Sequence, residues 1–231
     1  MKQYVLIFSV LFLMNTGLVW AQNKETIHLN IEPYFGNKKL STATYYPLKN
    51  GDSIQVETFK FYISNIQLLN NNQAVYTLNN SYHLIDFSNY QPIGNKITIQ
   101  TDVTFNQLKF QLGIDSLTNE SGAMGGDLDP TKGMYWAWQS GYINTKIEGK
   151  NKSTQDKTTD FQFHLGGYLP PFNCLQTVLI NLKKEAIINL KMDLSLLLNE
   201  IDFKTQHHIM SPSKETVIIS EKASKIFSKI E

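Results

Sequence analysis

Residues 59–68 read FKFYISNIQL, with large apolar side chains at Phe59, Phe61 and Ile63 and more polar ones between them. An alternation with a period of two sends successive side chains to opposite faces of a β-strand, so one face is expected to be buried. Three further segments alternate in the same way: 27–31, 108–112 and 161–165. These patterns predict half-buried antiparallel strands.

Turn-forming residues separate the predicted strands. They include KNGD at 49–52, three asparagines at 70–72 and PIGN at 92–95, a spacing typical of a sandwich. A short helix is expected at 193–199, and another at 220–230, where Ser220 would be the N-cap. The sequence therefore predicts an all-β fold, an antiparallel β-sandwich with long loops and a short C-terminal helix.

The first 21 residues have the features of a secretory signal peptide. Lys2 precedes an apolar run at 4–13, and small residues end the segment at Ala21. The run is too short for a confident membrane span, and no later segment is long and apolar enough to be one. We therefore expect a signal peptide at 1–21 and a single exported domain at 22–231, periplasmic or extracellular, without a membrane span.

Composition limits the classes of function. The formal net charge is +1, with scattered cations, which argues against nucleic-acid and membrane-surface partners. Every cationic side chain is lysine. Because the forked guanidinium of arginine is absent, an enzyme that acts on anionic substrates is less favoured. Cys174 is the only cysteine, so no intrachain disulfide can form and a buried thiol is expected.

An aromatic block, GMYWAWQSGY, occupies 133–142 and follows a long irregular segment, 115–133. On a continuous strand, Trp136 and Trp138 would face the same side. The rings could belong to the core of a sandwich. Alternatively, together with Tyr135 and Tyr142, they could form a stacking platform in an adhesion or carbohydrate-binding module.

Histidine and aspartate supply the candidate metal ligands. The five histidines lack the spacing of a local zinc motif, and His164 is the most suggestive because Gly166 and Gly167 follow it and would allow close approach. A purely structural, hydrogen-bonded His164 remains an alternative. Asp127 and Asp129 could bind Ca²⁺ or could form a turn around Asp129-Pro130.

Five segments, taken in order, resemble the MbnP family of exported proteins. They are FKFYISNIQL (59–68), HLIDF (83–87), LGIDSLTN (112–119), GDLDPTKGMYWAWQSGY (126–142) and FHLGG (163–167). The resemblance implies a periplasmic copper-binding β-sandwich with no enzyme activity of its own. It also implies that a partner dihaem protein of the MbnH type, related to cytochrome c peroxidases, oxidises a tryptophan to kynurenine, which helps to bind copper.

Carried onto this chain, the resemblance makes Trp136 or Trp138 the modified residue and His164 a metal ligand or its neighbour. Copper-binding members carry Asn-His before the Trp block, where this chain has Asn119-Glu120. Glu120 would then supply an oxygen ligand. Asn119, Tyr135 and Tyr142 are expected to support the site.

Overall fold

The computed structural model describes residues 24–88, 92–139, 141–153, 155 and 157–230. The expected signal peptide at 1–21 lies outside these residues. The strands are β1 (Glu25–Phe35), β2 (Lys38–Lys39), β3 (Tyr46–Pro47), β4 (Ser53–Asn70), β5 (Gln73–Thr77), β6 (Tyr82–Asp86), β7 (Lys96–Thr101), β8 (Gln107–Leu112), β9 (Tyr135–Trp136), β10 (Gly141–Lys152), β11 (Thr158–Gly166), β12 (Gln176–Asn181), β13 (Ile187–Asp193), β14 (His208–Ile209) and β15 (Phe227–Lys229). The helices are α1 (Ser116–Glu120), α2 (Leu194–Leu198) and α3 (Lys214–Ala223).

The strands form two sheets. The smaller follows the order β15-β13-β1-β2, and β7 also pairs with β1. The larger follows the order β12-β8-β4-β10-β11-β14, with β3, β5 and β6 added on β4 and β9 on β10. The 18-residue strand β4 is long enough to pair with β3, β6 and β5 along one edge and with β10 and β8 along the other. Its register with β8 shifts between Ser64 and Gln67, around Asn65 with a φ of 48°.

The main core lies between the two sheets. Phe59, Phe61 and Ile63 of β4 are fully buried there together with Ile27 and Leu29 of β1. Burial of apolar surface from both sheets is the dominant favourable contribution to folding. The predicted all-β sandwich and its four alternating strands are confirmed.

Not every pairing is antiparallel. β1 pairs with β13 in parallel, and β11 pairs with β14 in parallel. Both sheets are therefore mixed. Within the described part of the chain, no helix combines the length and the apolar character needed to cross a bilayer.

The helix expected at 193–199 is present as α2, with Asp193 as its N-cap. The boundaries expected for the C-terminal helix are wrong. Helix α3 begins at Lys214, where the Ser213 hydroxyl accepts from Thr216 N, and Ser220 lies inside it. The apolar residues that follow do not extend the helix, because Phe227–Lys229 form a strand that pairs with β13 and contributes Phe227 to the core.

Candidate functional site

A second, smaller apolar cluster lies on the outer face of the larger sheet. It contains Tyr62, Leu84, Ile114, Leu128, Met134, Trp136, Tyr142 and Ile143. Tyr62 lies between Phe61 and Ile63 in β4, so the strand alternation turns it away from the main core. We call this group the outer cluster. The irregular segment that precedes the Trp block covers it.

Tyrosine hydroxyls hold that segment against the sheet. Tyr62 Oη donates to Asp127 O at 3.0 Å, and Tyr142 Oη bonds both Leu128 O and Met124 N at 3.0 Å. Burial raises the pKa of both hydroxyls, so both remain protonated donors. The segment is therefore a packed cover over the outer cluster.

Asn119 joins the cover to β10. Its side chain is only 2% exposed; Nδ2 donates to Ile114 O at 3.0 Å and to Asp115 O at 2.9 Å, while Oδ1 accepts from Tyr142 N at 2.8 Å. Both amide donors are occupied. Asn119 thus positions the backbone of the aromatic block.

The two aspartates of GDLDP have structural partners. Asp129 caps the 3₁₀ turn Pro130–Lys132 by accepting from Thr131 N at 2.8 Å, as expected for a turn. Asp127 accepts from Lys132 Nζ at 2.6 Å and from Leu84 N at 3.1 Å. Within the described residues, no three His, Cys, Asp or Glu side chains form a group able to hold a metal ion.

The two tryptophans occupy different environments. Strand β9 ends at Trp136, and the chain turns through 137–139 with Gln139 N donating to Trp136 O. The expectation that both rings face one side of a continuous strand is therefore wrong. Trp136 is 5% exposed and Trp138 is 67% exposed, although their ring centroids lie 5.7 Å apart.

A four-ring stacking platform is not formed. Tyr142 is buried in the outer cluster, and the half-buried Tyr135 packs edge-on against it at a centroid distance of 5.0 Å. Trp136 is covered as well. Of the four rings, only Trp138 presents a broad exposed surface.

Trp136 lies against Gly166 of β11. A Cβ added at Gly166 would stand 2.8 Å from Trp136 Cζ3 and 2.7 Å from Tyr142 O. A glycine is therefore required for the indole to reach the sheet. Trp136 Nε1 is buried and has no hydrogen-bond partner in the described part of the chain.

His164 lies two residues before Gly166 and shares its face of β11. The side chain is turned away from Phe163 and is buried, with the residue 6% exposed. Its Nε2 lies 2.7 Å from Glu148 Oε1, and Lys146 Nζ lies 3.4 Å from the same oxygen. Burial lowers the pKa of His164 although Glu148 opposes the shift, so the ring is neutral at pH 7.

The hydrogen bond to Glu148 defines the tautomer of His164. A carboxylate only accepts, so Nε2 carries the proton and Nδ1 carries the free lone pair. That Nδ1 is buried and has no partner among the described residues. Glu148 was missed by sequence reasoning. Glu148 lies opposite Gln162, on the face of the sheet that also carries His164. This pairing is the feature that could have identified it.

Glu120 does not join this group. It is exposed on α1, and no hydrogen bond or ion pair links it to His164 within the described residues. Cys174 is buried as expected, and burial raises the pKa of its thiol to about 11. His164, Glu148 and Trp136 are the chemically distinctive residues on this face.

Comparison with known proteins agrees with this architecture. A family model described as MbnP matches residues 24–213. The structure of MbnP from Methylosinus trichosporium superposes with a TM-score of 0.59 at 12% identity, covering 78% of this chain and 79% of the other. No curated protein matches the sequence at a significant level. By the extent of the family match, the chain belongs to the MbnP family.

Proposed function

We propose that this protein is an exported copper-handling protein that binds copper beside His164 on the outer face of the larger sheet. The observation that carries the proposal is the buried Nδ1 of His164, which has no hydrogen-bond partner among the residues that the structure describes and lies two residues from the glycine on which Trp136 rests. A buried nitrogen without a hydrogen bond costs about 1–3 kcal/mol, which a bound ligand would offset.

The residues present fit copper. Neutral imidazole is a suitable copper ligand, and the lowered pKa of His164 keeps its ring unprotonated. Metal-binding histidines commonly donate their second nitrogen to a carboxylate, which fixes the ring. Glu148 provides that carboxylate at 2.7 Å. His164 and Glu148 together support the proposal of a first ligand with an orienting partner.

We propose Trp136, rather than Trp138, as the residue oxidised to kynurenine. Trp136 lies against the strand that carries His164, whereas Trp138 is 67% exposed. Oxidative opening of the indole, with its C2 carbon leaving as formate and the electrons passing through the dihaem partner to a peroxide, would leave an aromatic amine and a ketone, which are new donor groups. Because Gly166 has no side chain, a changed side chain at Trp136 would still have room to lie flat on β11.

The proposed oxidant is the dihaem protein of the MbnH type that accompanies this family. A large protein cannot reach the buried Trp136 directly, but it can contact Trp138, whose ring centroid lies 5.7 Å from that of Trp136. The protein is then the substrate of its partner and no catalyst itself. Export through the segment 1–21 would bring the two together.

Mass spectrometry tests the proposal. The chain is expressed with and without the dihaem partner, and the tryptic peptide 133–146 is weighed and fragmented. With the partner, the mass should change by the exchange of one carbon for one oxygen at Trp136, and copper should copurify. Trp136→Phe should abolish both effects. An unchanged peptide together with copper-free protein would refute the proposal.

A further inference from the structure

We propose that this protein has a second ligand site, a cavity that binds a small oxyanion at the turn end of the hairpin formed by β10 and β11. Its lining includes Asn151, Lys157, Thr159, Phe203, Lys204 and His207. We call it the hairpin cavity. It is independent of the proposed copper site, because it lies on the other face of the larger sheet.

The pairing of β10 with β11 places the hairpin cavity on the inner face. Phe161 and Phe163 of β11 belong to the main core, and Thr159 continues their alternation. Asn151 of β10 lies directly opposite Thr159. Both side chains therefore lie on the inner face, whereas His164 occupies the outer face.

Phe203 separates the hairpin cavity from the main core. It is 3% exposed, and its ring centroid lies 5.1 Å from that of Phe161. His207 flanks the cavity at the edge of β11, where its carbonyl accepts from Gln162 N at 2.8 Å. The cavity has a volume of about 370 Å³, within the range of about 300–1,000 Å³ that is typical of small-molecule sites.

Asn151 supplies the observation that points to a ligand. The residue is 6% exposed, and its Nδ2 is buried without a hydrogen-bond partner among the described residues. Nδ1 of His207, in the same lining, is also buried and has no partner within that part of the chain. Buried polar groups in folded proteins nearly always have a partner. Because an amide nitrogen only donates, the partner that Asn151 lacks is a hydrogen-bond acceptor.

The charges around the hairpin cavity favour an acceptor that is negatively charged. Lys157 and Lys204 line it, and its described lining contains no aspartate or glutamate. The nearby Asp202 accepts from Lys204 N at 3.1 Å and from Thr205 Oγ1 at 3.0 Å, so its carboxylate is engaged in its own turn. Ammonium groups form strong, charge-assisted hydrogen bonds with carboxylate and phosphate. We therefore assign the ligand class as a small molecule that carries a carboxylate or a phosphate group.

The use of lysine determines how the anion is held. An ammonium acts as a point charge and lacks the planar fork with which arginine selects one geometry. The two lysines are therefore expected to attract a planar carboxylate and a tetrahedral phosphate alike. The buried amide of Asn151 and the hydroxyl of Thr159 supply the directional contacts.

Isothermal titration calorimetry tests the proposal on the mature protein, expressed without the dihaem partner and free of copper. Inorganic phosphate and succinate are titrated separately at constant ionic strength, with neutral succinamide as the negative probe. At least one of the two anions should bind saturably, and their relative affinities identify the preferred group. Succinamide should not bind.

Substitutions connect the binding to the hairpin cavity. Lys157→Gln and Lys204→Gln should each weaken binding about two- to fivefold, as expected for one exposed ion pair. Both side chains are exposed, so folding should be preserved. Asn151→Asp keeps the size of the side chain but replaces its donor with a negative charge, so binding should be lost. Lys96→Gln, exposed on β7 of the smaller sheet, is the matched control and should retain wild-type affinity.

NMR gives a second readout that locates the site. On titration with the anion, the side-chain amide signals of Asn151 and the imidazole signals of His207 should shift, whereas those of His164 should not. Absence of saturable binding by either anion, equal affinity of the two lysine variants and Lys96→Gln, or shifts at His164 instead would overturn the proposal. Because copper-free protein is used, neither result depends on the proposed copper function.

Discussion

The indole of Trp136 lies on Gly166 so closely that no side chain fits between the ring and β11. The added Cβ would stand 2.8 Å from Cζ3 and 3.0 Å from Cη2 of the indole. Real Cβ atoms do not make such contacts, so ring or strand would have to move. This contact connects Trp136 of the aromatic block to the strand that carries His164.

Gly166→Ala should therefore destabilise the protein by about 1–3 kcal/mol through overpacking. Urea unfolding measures the loss, and the emission of the displaced Trp136 should shift. Gly125→Ala is the matched control, since a Cβ there meets no atom within 4 Å and Gly125 has a negative φ. Equal stability of the two variants would contradict the close contact.

Iodide quenching of fluorescence should distinguish the buried Trp136 from the exposed Trp138. In the mature chain, Trp136→Phe should leave an emission that iodide quenches strongly, because Trp138 is exposed. Trp138→Phe should leave an emission that is largely protected. Comparable quenching in both variants would show that the burial of Trp136 is not maintained in solution.

The pKa of His164 should respond in opposite directions to its two charged neighbours. Glu148→Gln should lower it further, because the carboxylate favours the protonated ring. Lys146→Gln should raise it, because the ammonium disfavours that form. Titration of the imidazole signals by NMR measures both shifts. Movement in the same direction would contradict the described geometry.

The free energy of unfolding should decrease on acidification, partly because the folded protein binds a proton at His164 less readily than the unfolded chain does. Its folded pKa lies below the ordinary 6.5, so the unfolded chain binds the proton more readily as the pH falls through that value. His164→Gln should remove this part of the decrease. Urea unfolding of both proteins at about pH 7.5 and about pH 5.5 measures it. Identical decreases would exclude the contribution.

Asn119→Ala should cost about 1–3 kcal/mol, because it removes the side-chain partner of the buried Tyr142 N–H and of the Ile114 carbonyl, whereas the Asp115 carbonyl still accepts from the backbone N–H of residue 119. The adjacent Glu120→Ala is the control and should change stability by less than about 0.5 kcal/mol, since Glu120 is exposed. Copper affinity should also be unaffected by Glu120→Ala. A loss of affinity there would restore Glu120 as a ligand.

Local alternation was sufficient to predict the strands of the main core. The face of Phe59, Phe61 and Ile63 is buried as their spacing requires. The parallel pairing of β1 with β13 could not be predicted, because it joins segments far apart in the chain. The C-terminal helix was predicted to include Phe227 for the same reason. Its local spacing is typical of a helix, but pairing with the distant strand β13 makes Phe227 part of a strand.

The site was only partly predictable. His164 was identified from its strand face and from the glycines that follow it. Glu148, by contrast, reaches His164 only through the pairing of β10 with β11. The different exposure of Trp136 and Trp138 depends on a turn that the alternating aromatic residues conceal. The contact of Glu148 with His164 is tertiary, so no local pattern encodes it.

Because of the outer cluster, the two faces of the larger sheet have different roles. The sandwich core on the inner face secures the fold, whereas Trp136 and its cover pack on the other face. Chemical conversion of the indole would repack only the smaller group. A covalent change to the buried Trp136 after folding would therefore not require the two sheets to unfold and pair again.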